Sequence, residues 1–401
     1  MLVMRGVFLR PFLGCLVQLR KEFYMKTIHG VYTSAIIYHT NTIENSVDDY
    51  AIAQIKQLCD NKAFKDCKIR IMPDVHPGKV GTIGFTSTIG TAVIPNVIGV
   101  DIGCGVTVAA VKGRIKEYQK LDTVIRDQVP SGFSVRSNPH HKALNFDLQA
   151  LRCFKHINEE KARLSLGTLG GGNHFIELDV SDDGTTYLLI HSGSRHLGHE
   201  VTEHYLREGQ KQLKEKGNWV PYELTYLKNE LMKDYLHDLA IVQDFASLNR
   251  EIMVDEIVKG MKWKATGLVS CVHNYVDFRD VTPIIRKGAI SARKGETVII
   301  PINMKDGVIV GAGLGNADWN DSAPHGAGRI MKREDVKNSF TVSSYKKEMK
   351  GIYSSCINRE TLDEAPFAYR SIDAISDAVK DTIQIQTILR PVYNFKAGGD
   401  Y

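Results

Sequence analysis

Apolar residues along the chain occur in short runs with two different spacings, which predict a mixture of strands and helices. Runs rich in β-branched residues predict buried strands at residues 106–111, 186–190, 268–272, 297–300 and 308–310. A helical spacing predicts a helix at residues 46–61, with Ser46 and Asp49 as a capping box. A longer helical pattern at residues 222–261 predicts two helices. A helix at 374–383 and a strand at 387–395 are predicted to close the chain.

Short predicted strands end in turns rich in Gly, His and Asn, and helices are inserted between them. This pattern predicts an α/β (mixed α+β) protein whose chemistry lies in its loops. No internal repeat and no Pro- or Ser-rich linker divides the chain. Residues 1–24 are interpreted as an N-terminal extension, because Arg5, Arg10 and Pro11 interrupt their apolar run and no signal-peptide cleavage site follows. We therefore expect one folded domain at residues 25–401.

Composition narrows the function classes only moderately. The 401 residues contain 51 basic and 46 acidic side chains, a net charge of +5 that permits a polyanionic partner without requiring one. The seven cysteines are odd in number and contain no C-x-x-C pair, which argues against a disulfide framework or a zinc ribbon. No uncharged apolar stretch reaches the roughly 18–20 residues of a membrane helix. We therefore expect a cytoplasmic protein.

Five of the fourteen histidines stand at the ends of apolar runs beside Gly or Asn: His76, His174, His191, His273 and His325. An imidazole at the mouth of a buried strand is held rigidly and faces a cleft, as a metal ligand or a nucleophile must. Asp101 and Cys104 lie three residues apart among glycines, which allow both side chains to converge on one point.

Asp101, Cys104, His174, His191 and His273 form a mixed set of oxygen, sulfur and nitrogen donors. The set is too large for one tetrahedral zinc and large enough for two ions that share a thiolate. Each residue alone has a simpler interpretation, since Cys104 could be a small buried apolar side chain and Asp101 a turn residue. Their joint occurrence at strand ends favours a metal site.

Glycine clusters flank two of these histidines, at residues 170–172 before His174 and at residues 326–328 after His325. Such clusters let backbone N–H groups approach a phosphate. A P-loop, a dinucleotide-binding fingerprint and the Lys-x-Asp-Gly motif of lysine-dependent ligases are all absent from the sequence. Covalent activation of a nucleotide would therefore not use the usual ligase lysine.

Six segments resemble, in this order, the RtcB family of RNA 3′-phosphate ligases: MPDVHPGKVGTIG, VIGVDIGCG, GTLGGGNHFIE, HSGSRHLG, HNY and PHGAGR. The resemblance extends from about Met25 to Lys396. It implies one large α/β domain with central packed β-sheets flanked by helices. It also implies a GTP- and manganese-dependent enzyme that joins RNA 3′-phosphate or 2′,3′-cyclic phosphate ends to 5′-hydroxyl ends in RNA repair or tRNA splicing.

The resemblance also implies roles for individual residues. The five donors named above match the ligands of two manganese ions, with Cys104 bridging, and His325 matches the histidine that becomes guanylylated. Arg195 matches a contact to an RNA phosphate, and Glu177 a residue that recognises guanine. The implied nucleotide-binding residues are Asn173, His174, Phe175, Ile176, Glu177, His273, Asn274, Pro301, Ile302, Asn303, Met304, His325, Gly326, Ala327, Gly328 and Lys396.

The chain departs from the family pattern at the nucleotide loop. Residues 301–304 read Pro-Ile-Asn-Met instead of Pro-Gly-Ser-Met, and Val308 stands where serine is common. These departures point to altered nucleotide affinity or substrate preference. Two alternatives remain open from the sequence. One is a dinuclear metal phosphohydrolase such as a cyclic phosphodiesterase, with His325 as a general acid, and the other is a non-catalytic RNA-binding protein.

Overall fold

A computed structural model describes residues 23–40 and 47–397. The described strands are β1 (Phe23–His29), β2 (Ser34–Thr40), β3 (Ile69–Pro77), β4 (Thr82–Thr88), β5 (Gly105–Lys112), β6 (Phe175–Val180), β7 (Thr186–Ser192), β8 (Lys264–Val272), β9 (Asn274–Asp277), β10 (Ile284–Lys287), β11 (Ala289–Ser291), β12 (Thr297–Asn303), β13 (Gly307–Gly313), β14 (Ser322–Pro324) and β15 (Ile383–Phe395). The described α-helices are α1 (Asp49–Cys59), α2 (Pro95–Ile98), α3 (Tyr118–Gln128), α4 (His141–Leu144), α5 (Glu159–Ser165), α6 (Arg195–Glu215), α7 (Asn229–Met261), α8 (Arg333–Ser339), α9 (Val342–Glu348) and α10 (Ile372–Ala378).

Two sheets hold most of these strands. One has six strands in the order β1-β2-β3-β4-β10-β9, and its β2–β3 pair is parallel. The other has seven strands in the order β12-β13-β15-β6-β7-β5-β8, all paired antiparallel. A short pair, β11 and β14, lies outside both sheets. The mixture of sheets and helices confirms the predicted α/β class.

The neighbouring strands β5, β6 and β7 of the seven-stranded sheet are largely buried, whereas the edge strand β8 is mostly exposed. One face packs Ile176, Leu178 and Ile190 against apolar residues of α3 and α7, such as Ile125 and Ile257. On the other face, Val106, Phe175 and Leu189 belong to a second apolar cluster together with side chains of β12 and β13, the strands at the opposite end of the same sheet. Alternation along β6 therefore separates its side chains into two environments, with Phe175, Glu177 and Asp179 opposite Ile176 and Leu178.

All five strands predicted from β-branched runs are present, as parts of β5, β7, β8, β12 and β13. The predicted burial is wrong for residues 268–272, because β8 is an edge strand and only Cys271 of these five residues is buried. The helix predicted at residues 46–61 is confirmed as α1, whose N-cap is Asp48; its side chain accepts from the N–H groups of Tyr50 and Ala51. The proposed cap Ser46 lies outside the described residues. β1 begins at Phe23, two residues before the expected domain start, and residues 1–22 also lie outside the described part.

Two predictions of helical structure were wrong in detail. Residues 222–261 form one long helix, α7, after a single 3-10 turn at Tyr222–Leu224, because no Gly or Pro interrupts residues 229–259. The helix predicted at 374–383 ends at Ala378, and β15 begins at Ile383, four residues earlier than expected. Among the described helices, none is both long enough and apolar enough to cross a membrane.

Candidate active site

Four strand ends of the seven-stranded sheet meet at one edge and bring the candidate ligands together. Gly105 at the start of β5 pairs with Ser192 at the end of β7 and with Val272 at the end of β8. Phe175 at the start of β6 pairs with His191. Because antiparallel neighbours place the start of one strand beside the end of the next, the adjacent residues Cys104, His174, His191 and His273 must lie close together.

Cys104 lies at the centre of two overlapping donor groups. Its Sγ lies 3.4 Å from His174 Nε2 and 3.3 Å from His191 Nε2. His174 Nε2 lies 3.0 Å from Asp101 Oδ2, and His191 Nε2 lies 3.2 Å from His273 Nε2. Donors held at 2.0–2.3 Å from one ion lie roughly 3–4 Å apart, so these spacings suit two ions that share the Cys104 sulfur.

Backbone carbonyls fix the orientation of two of the imidazoles. His174 Nδ1 donates to Leu169 O at 2.9 Å, and His191 Nδ1 donates to Asn173 O at 3.2 Å. With Nδ1 bonded in this way, both rings turn Nε2 toward the other donors, which is how metal-bound histidines are usually oriented. Burial lowers the pKa of His191 and of His273 well below the usual value, so both rings are neutral at pH 7.

The two anionic donors differ in their need for a cation. Burial raises the pKa of the Cys104 thiol well above its usual range, and the Asp101 carboxylate raises it further, so a thiolate here needs positive charge nearby. Burial acts to raise the pKa of Asp101, but the hydrogen bond with His174 and the charge of Arg195 outweigh it and lower this pKa. The Asp101 carboxylate lies where a Cβ on Gly193 would be, so position 193 has to be glycine.

His325 follows β14, and its ring lies beside the group formed by Cys104, His191 and His273. The centroids of the His325 and His273 rings are 4.7 Å apart. Its Nδ1 lies 2.7 Å from Oδ2 of the fully buried Asp74 in β3. A carboxylate accepts only, so Nδ1 donates this bond and Nε2 is the ring nitrogen that remains for other partners. His76, two residues after Asp74, bonds to Asp74 O through its own Nδ1, and burial lowers its pKa to about 4.

A pocket of about 830 Å³, its open mouth included, joins these groups. His191, His273 and His325 line one end of it. The other predicted residues that line it are Asn173, Phe175, Glu177, Pro301, Ile302, Asn303, Met304, Gly326, Ala327, Gly328 and Lys396. Most of the residues assigned to nucleotide binding by resemblance therefore surround one pocket, although they come from five distant segments of the chain.

Glu177 lines this pocket and is buried, so it is not a solvated strand carboxylate. Its Oε1 accepts from Asn394 Nδ2 at 2.9 Å. Burial raises the pKa of Glu177 to about 7, against the opposing effects of the Asn394 bond and the Lys396 charge. Asp179, on the same strand face, is also buried, and neither of its oxygens has a hydrogen-bond partner. Burial raises its pKa well above the usual value, so Asp179 is a neutral acid.

An ionic cluster forms another wall of the pocket. Buried Glu364 bonds Lys396 Nζ at 3.0 Å and also contacts Arg329 and Arg333. Burial acts to raise the pKa of Glu364, but the charges of Lys396, Arg333 and Arg329 outweigh it and hold this pKa far below its usual value. Tyr369 donates from its hydroxyl to Glu364. The wall therefore carries a net positive charge beside the candidate nucleophile.

Some of the predicted site residues lie elsewhere. Ile176 points into the core shared with α3 and α7, so only its backbone can contact a ligand in the pocket. Asn274 bonds to backbone groups near the site: its Oδ1 accepts from Gly288 N, and its Nδ2 donates to Asp101 O. Arg195 lies outside the pocket lining, and its guanidinium donates to Gly132 O and Thr168 Oγ1.

Comparison with known proteins decides the family. The family model described as tRNA-splicing ligase RtcB matches residues 54–397. The chain belongs to the RtcB family. It is 33% identical over 365 residues to the RNA-splicing ligase RtcB of Escherichia coli K12, and the match covers 81% of this chain and 88% of that protein. It is 26% identical over 443 residues to the tRNA-splicing ligase RtcB of Archaeoglobus fulgidus, covering 87% and 91%.

Several residues around the pocket of this RtcB chain were not assigned from sequence. Asp74 lies in the motif MPDVHPGKVGTIG, two residues before His76. A carboxylate so close to a candidate histidine was the sequence feature that could have marked it as a site residue. Asn394 and Glu364 lie in segments without histidine, so no pattern of the kind used above marked them. Arg370, in the same segment as Glu364, donates to Ala327 O and Val75 O and so ties the residues after His325 to the strand of Asp74.

The departures of this chain from the RtcB pattern lie at the pocket. Asn303 closes its own turn, because its Oδ1 accepts from the N–H groups of Lys305 and Asp306. Val308 is completely buried in the apolar cluster behind the pocket. The divergent loop is therefore ordered by its own hydrogen bonds and packing.

Proposed function

We propose that the protein is an RNA ligase that joins RNA 3′-phosphate or 2′,3′-cyclic phosphate ends to 5′-hydroxyl ends, with GTP as the activating nucleotide. Membership of the RtcB family and the names of the relatives support RNA ligation. The observation that carries the proposal is the position of His325, whose ring lines the pocket and lies against His273 of the Cys104–His191–His273 group. The proposed catalytic unit comprises residues 25–401.

Two Mn²⁺ ions are the proposed metal cofactors. Asp101, Cys104 and His174 would hold one ion, and Cys104, His191 and His273 the other. Mn²⁺ accepts carboxylate and imidazole ligands, and two divalent charges also compensate the buried thiolate. When bound, the ions supply Lewis-acid stabilisation of phosphate oxygens.

His325 is the proposed nucleophile. Its Nε2 attacks the α-phosphorus of GTP, an N–P bond forms, and the bond to pyrophosphate breaks. Asp74 holds Nδ1–H and stabilises the positive charge that develops on the ring. An oxygen of the RNA 3′-phosphate then displaces the GMP group from His325, and the 5′-hydroxyl oxygen attacks the activated end with release of GMP.

Glu177 and Lys396 are the proposed contacts to the nucleotide. An ionised Glu177, oriented by Asn394, can accept two hydrogen bonds from guanine N1–H and N2–H, which adenine does not offer. Lys396 Nζ lies 5.8 Å from the centre of the Phe175 ring and carries positive charge into the pocket. Arg195 remains the proposed contact to an RNA phosphate.

The decisive experiment is incubation with manganese and α-³²P-GTP, followed by mass analysis of the protein. We expect one GMP adduct, located on His325, and its complete loss in His325→Ala. That variant should still seal an RNA that already carries the guanylylated 3′ end, because the remaining step does not need the imidazole. A phosphohydrolase would retain no label, and an adduct on another residue would contradict the assigned nucleophile.

The proposed location is the cytoplasm. All six cysteines of the described chain are free and buried, as is usual for proteins in a reducing compartment.

A further inference from the structure

Helix α7 passes directly behind the loop that carries Cys104. Gly103 has a φ of +72°, and a Cβ there would lie 2.8 Å from Ala246 Cβ and 3.0 Å from Gln243 Cα. Position 103 therefore has to be glycine because the loop touches the helix. The next turn of α7 brings two consecutive buried polar residues, Asn249 and Arg250, against the metal-ligand loops.

Arg250 is a completely buried cation, and no carboxylate of the described chain forms an ion pair with it. Its Nη1 donates to Gly103 O at 2.7 Å and to Ser192 O at 2.9 Å, and its Nε donates to Thr107 Oγ1 at 2.9 Å. Gly103 precedes Cys104, and Ser192 follows His191. The planar guanidinium therefore sets the separation of the two backbones that carry the sulfur and imidazole of one donor group.

Asn249 makes a different set of contacts with its side-chain amide. Its Oδ1 accepts from Gly167 N at 2.7 Å and Thr168 N at 3.0 Å. Its Nδ2 donates to Thr168 O, Ser192 Oγ and Gly193 O, each at 3.1 Å. The Asn249 amide thus links residues 167–168, which precede the glycine cluster, to residues 192–193 at the end of β7.

The contacts of Asn249 lead to the other donor group. Ser192 Oγ, which Asn249 contacts, donates to Leu169 O, the same carbonyl that accepts from His174 Nδ1. Gly193 is followed by Ser194, whose N–H donates to Asp101 Oδ1 at 3.1 Å. Asn249 therefore bonds directly to Ser192 and Gly193. Ser192 shares the carbonyl that orients His174, and the neighbour of Gly193 bonds to Asp101.

We propose that Arg250 and Asn249 are positioning residues for different halves of the metal site: Arg250 for the Cys104–His191–His273 group, and Asn249 for the Asp101–His174 side. The proposal rests on the two-ion site proposed above. A buried, unpaired guanidinium is costly to a fold, and an apolar side chain in a helix that packs on a sheet would be stabilising. Its hydrogen bonds go to Gly103, Thr107 and Ser192 in the chain around the ligands and to Ser247 of α7 itself, and its charge lies near Asp101 and Cys104.

Cobalt binding separates the two halves without an activity assay. The metal-free full-length protein is titrated with Co²⁺ alone, and the sulfur-to-cobalt charge-transfer and d–d absorption bands report each ion. His273→Ala and His174→Ala serve as references, since each removes a ligand of one group only. Arg250→Lys keeps the charge but loses the planar fork. We expect it to lower, at least tenfold, the Co²⁺ affinity of the site that His273→Ala also affects. We expect Asn249→Asp to lower the Co²⁺ affinity of the other site, the one that His174→Ala affects, more than that of the first.

A matched control lies on the same helix. Asp238 is also fully buried in α7, but it accepts from Arg152 N, Cys153 N and Tyr205 hydroxyl, far along the helix from the site. Asp238→Asn should lower thermal stability and leave both Co²⁺ affinities unchanged. Equal weakening of both ions by Arg250→Lys and Asn249→Asp, or wild-type Co²⁺ binding by both variants, would overturn the positioning roles. Failure of the wild-type protein to bind two Co²⁺ ions would instead overturn the two-ion site itself.

Discussion

Replacing Glu177 by Gln tests the proposed recognition of guanine with a single atom changed. The pair of hydrogen bonds from guanine to an ionised carboxylate contributes roughly 1–3 kcal/mol. An amide has only one acceptor oxygen, so it cannot accept both bonds in the same way. Because each 1.4 kcal/mol is a factor of ten, kcat/KM for adduct formation with GTP should fall roughly 5- to 150-fold. The preference for GTP over ATP should narrow, because an amide N–H can donate to adenine N1.

The environment of Glu177 adds a pH dependence with a defined sign. Only the carboxylate can accept both bonds, and the pKa of Glu177 is raised to about 7. The use of GTP by the wild-type protein should therefore fall about tenfold per pH unit below pH 7. Glu177→Gln has no proton to gain at this position, so its rate should lack this slope between pH 6 and 8.

The same shift predicts that the variant is more stable than the wild type. A carboxyl group with a raised folded-state pKa favours folding below its unfolded pKa, and this contribution is lost as the pH rises through the folded pKa. At pH 8 the ionised, buried Glu177 therefore costs up to about 3 kcal/mol relative to glutamine. Denaturant unfolding at pH 5 and pH 8 measures the difference, which should appear mainly at pH 8.

The assay is the initial rate of adduct formation with α-³²P-GTP and α-³²P-ATP at fixed manganese, from pH 6 to 8. Glu230→Gln is the matched control, because Glu230 is exposed and pairs only with Lys233. An unchanged GTP-to-ATP ratio in Glu177→Gln would refute the role in base recognition. A variant that keeps the wild-type pH slope would refute the assignment of the titrating group.

Two further substitutions test the nucleophile and the shared sulfur. Asp74→Asn removes a charge-assisted bond of roughly 1.5–3 kcal/mol from His325, so adduct formation should slow roughly 10- to 150-fold with little change in KM for GTP; a normal rate would contradict the orienting role. Cys104→Ser should reduce bound manganese and ligation together, because a hydroxyl stays protonated, whereas Cys356→Ser should change neither. Metal analysis that finds two ions in Cys104→Ser would refute the bridge.

The sequence by itself determined the kinds of residue available for chemistry and where they lie along the strands. Runs of β-branched residues located five strands correctly, because such side chains favour the extended backbone. They did not show that β8 lies at the sheet edge and is mostly exposed. Histidines beside Gly or Asn at strand ends marked His174, His191, His273 and His325 as site candidates, because residues at strand ends are held rigidly. The ordered motifs then identified the family, which the match over residues 54–397 confirms.

Only the tertiary structure decided which residues act as partners. The Asp74–His325 pair joins positions 251 residues apart, and the Glu177–Asn394 pair joins positions 217 apart. Local periodicity carries no information about such pairs, because it reports burial within an element and not the neighbour across a sheet. The sequence likewise assigned Ile176 to the nucleotide, whereas the pleat of β6 turns its side chain into the core.

Helix α7 shows the same division. Its apolar pattern predicted helical structure, and the absence of Gly and Pro from residues 229–259 accounts for its continuity. The burial of Arg250 did not follow from the sequence, since arginine in a helix is usually exposed. The packing of α7 against Gly103 removes this side chain from water and leaves backbone carbonyls of the metal-ligand loops as its partners. Close packing between distant segments thus decided which polar residues contact the loops around the site.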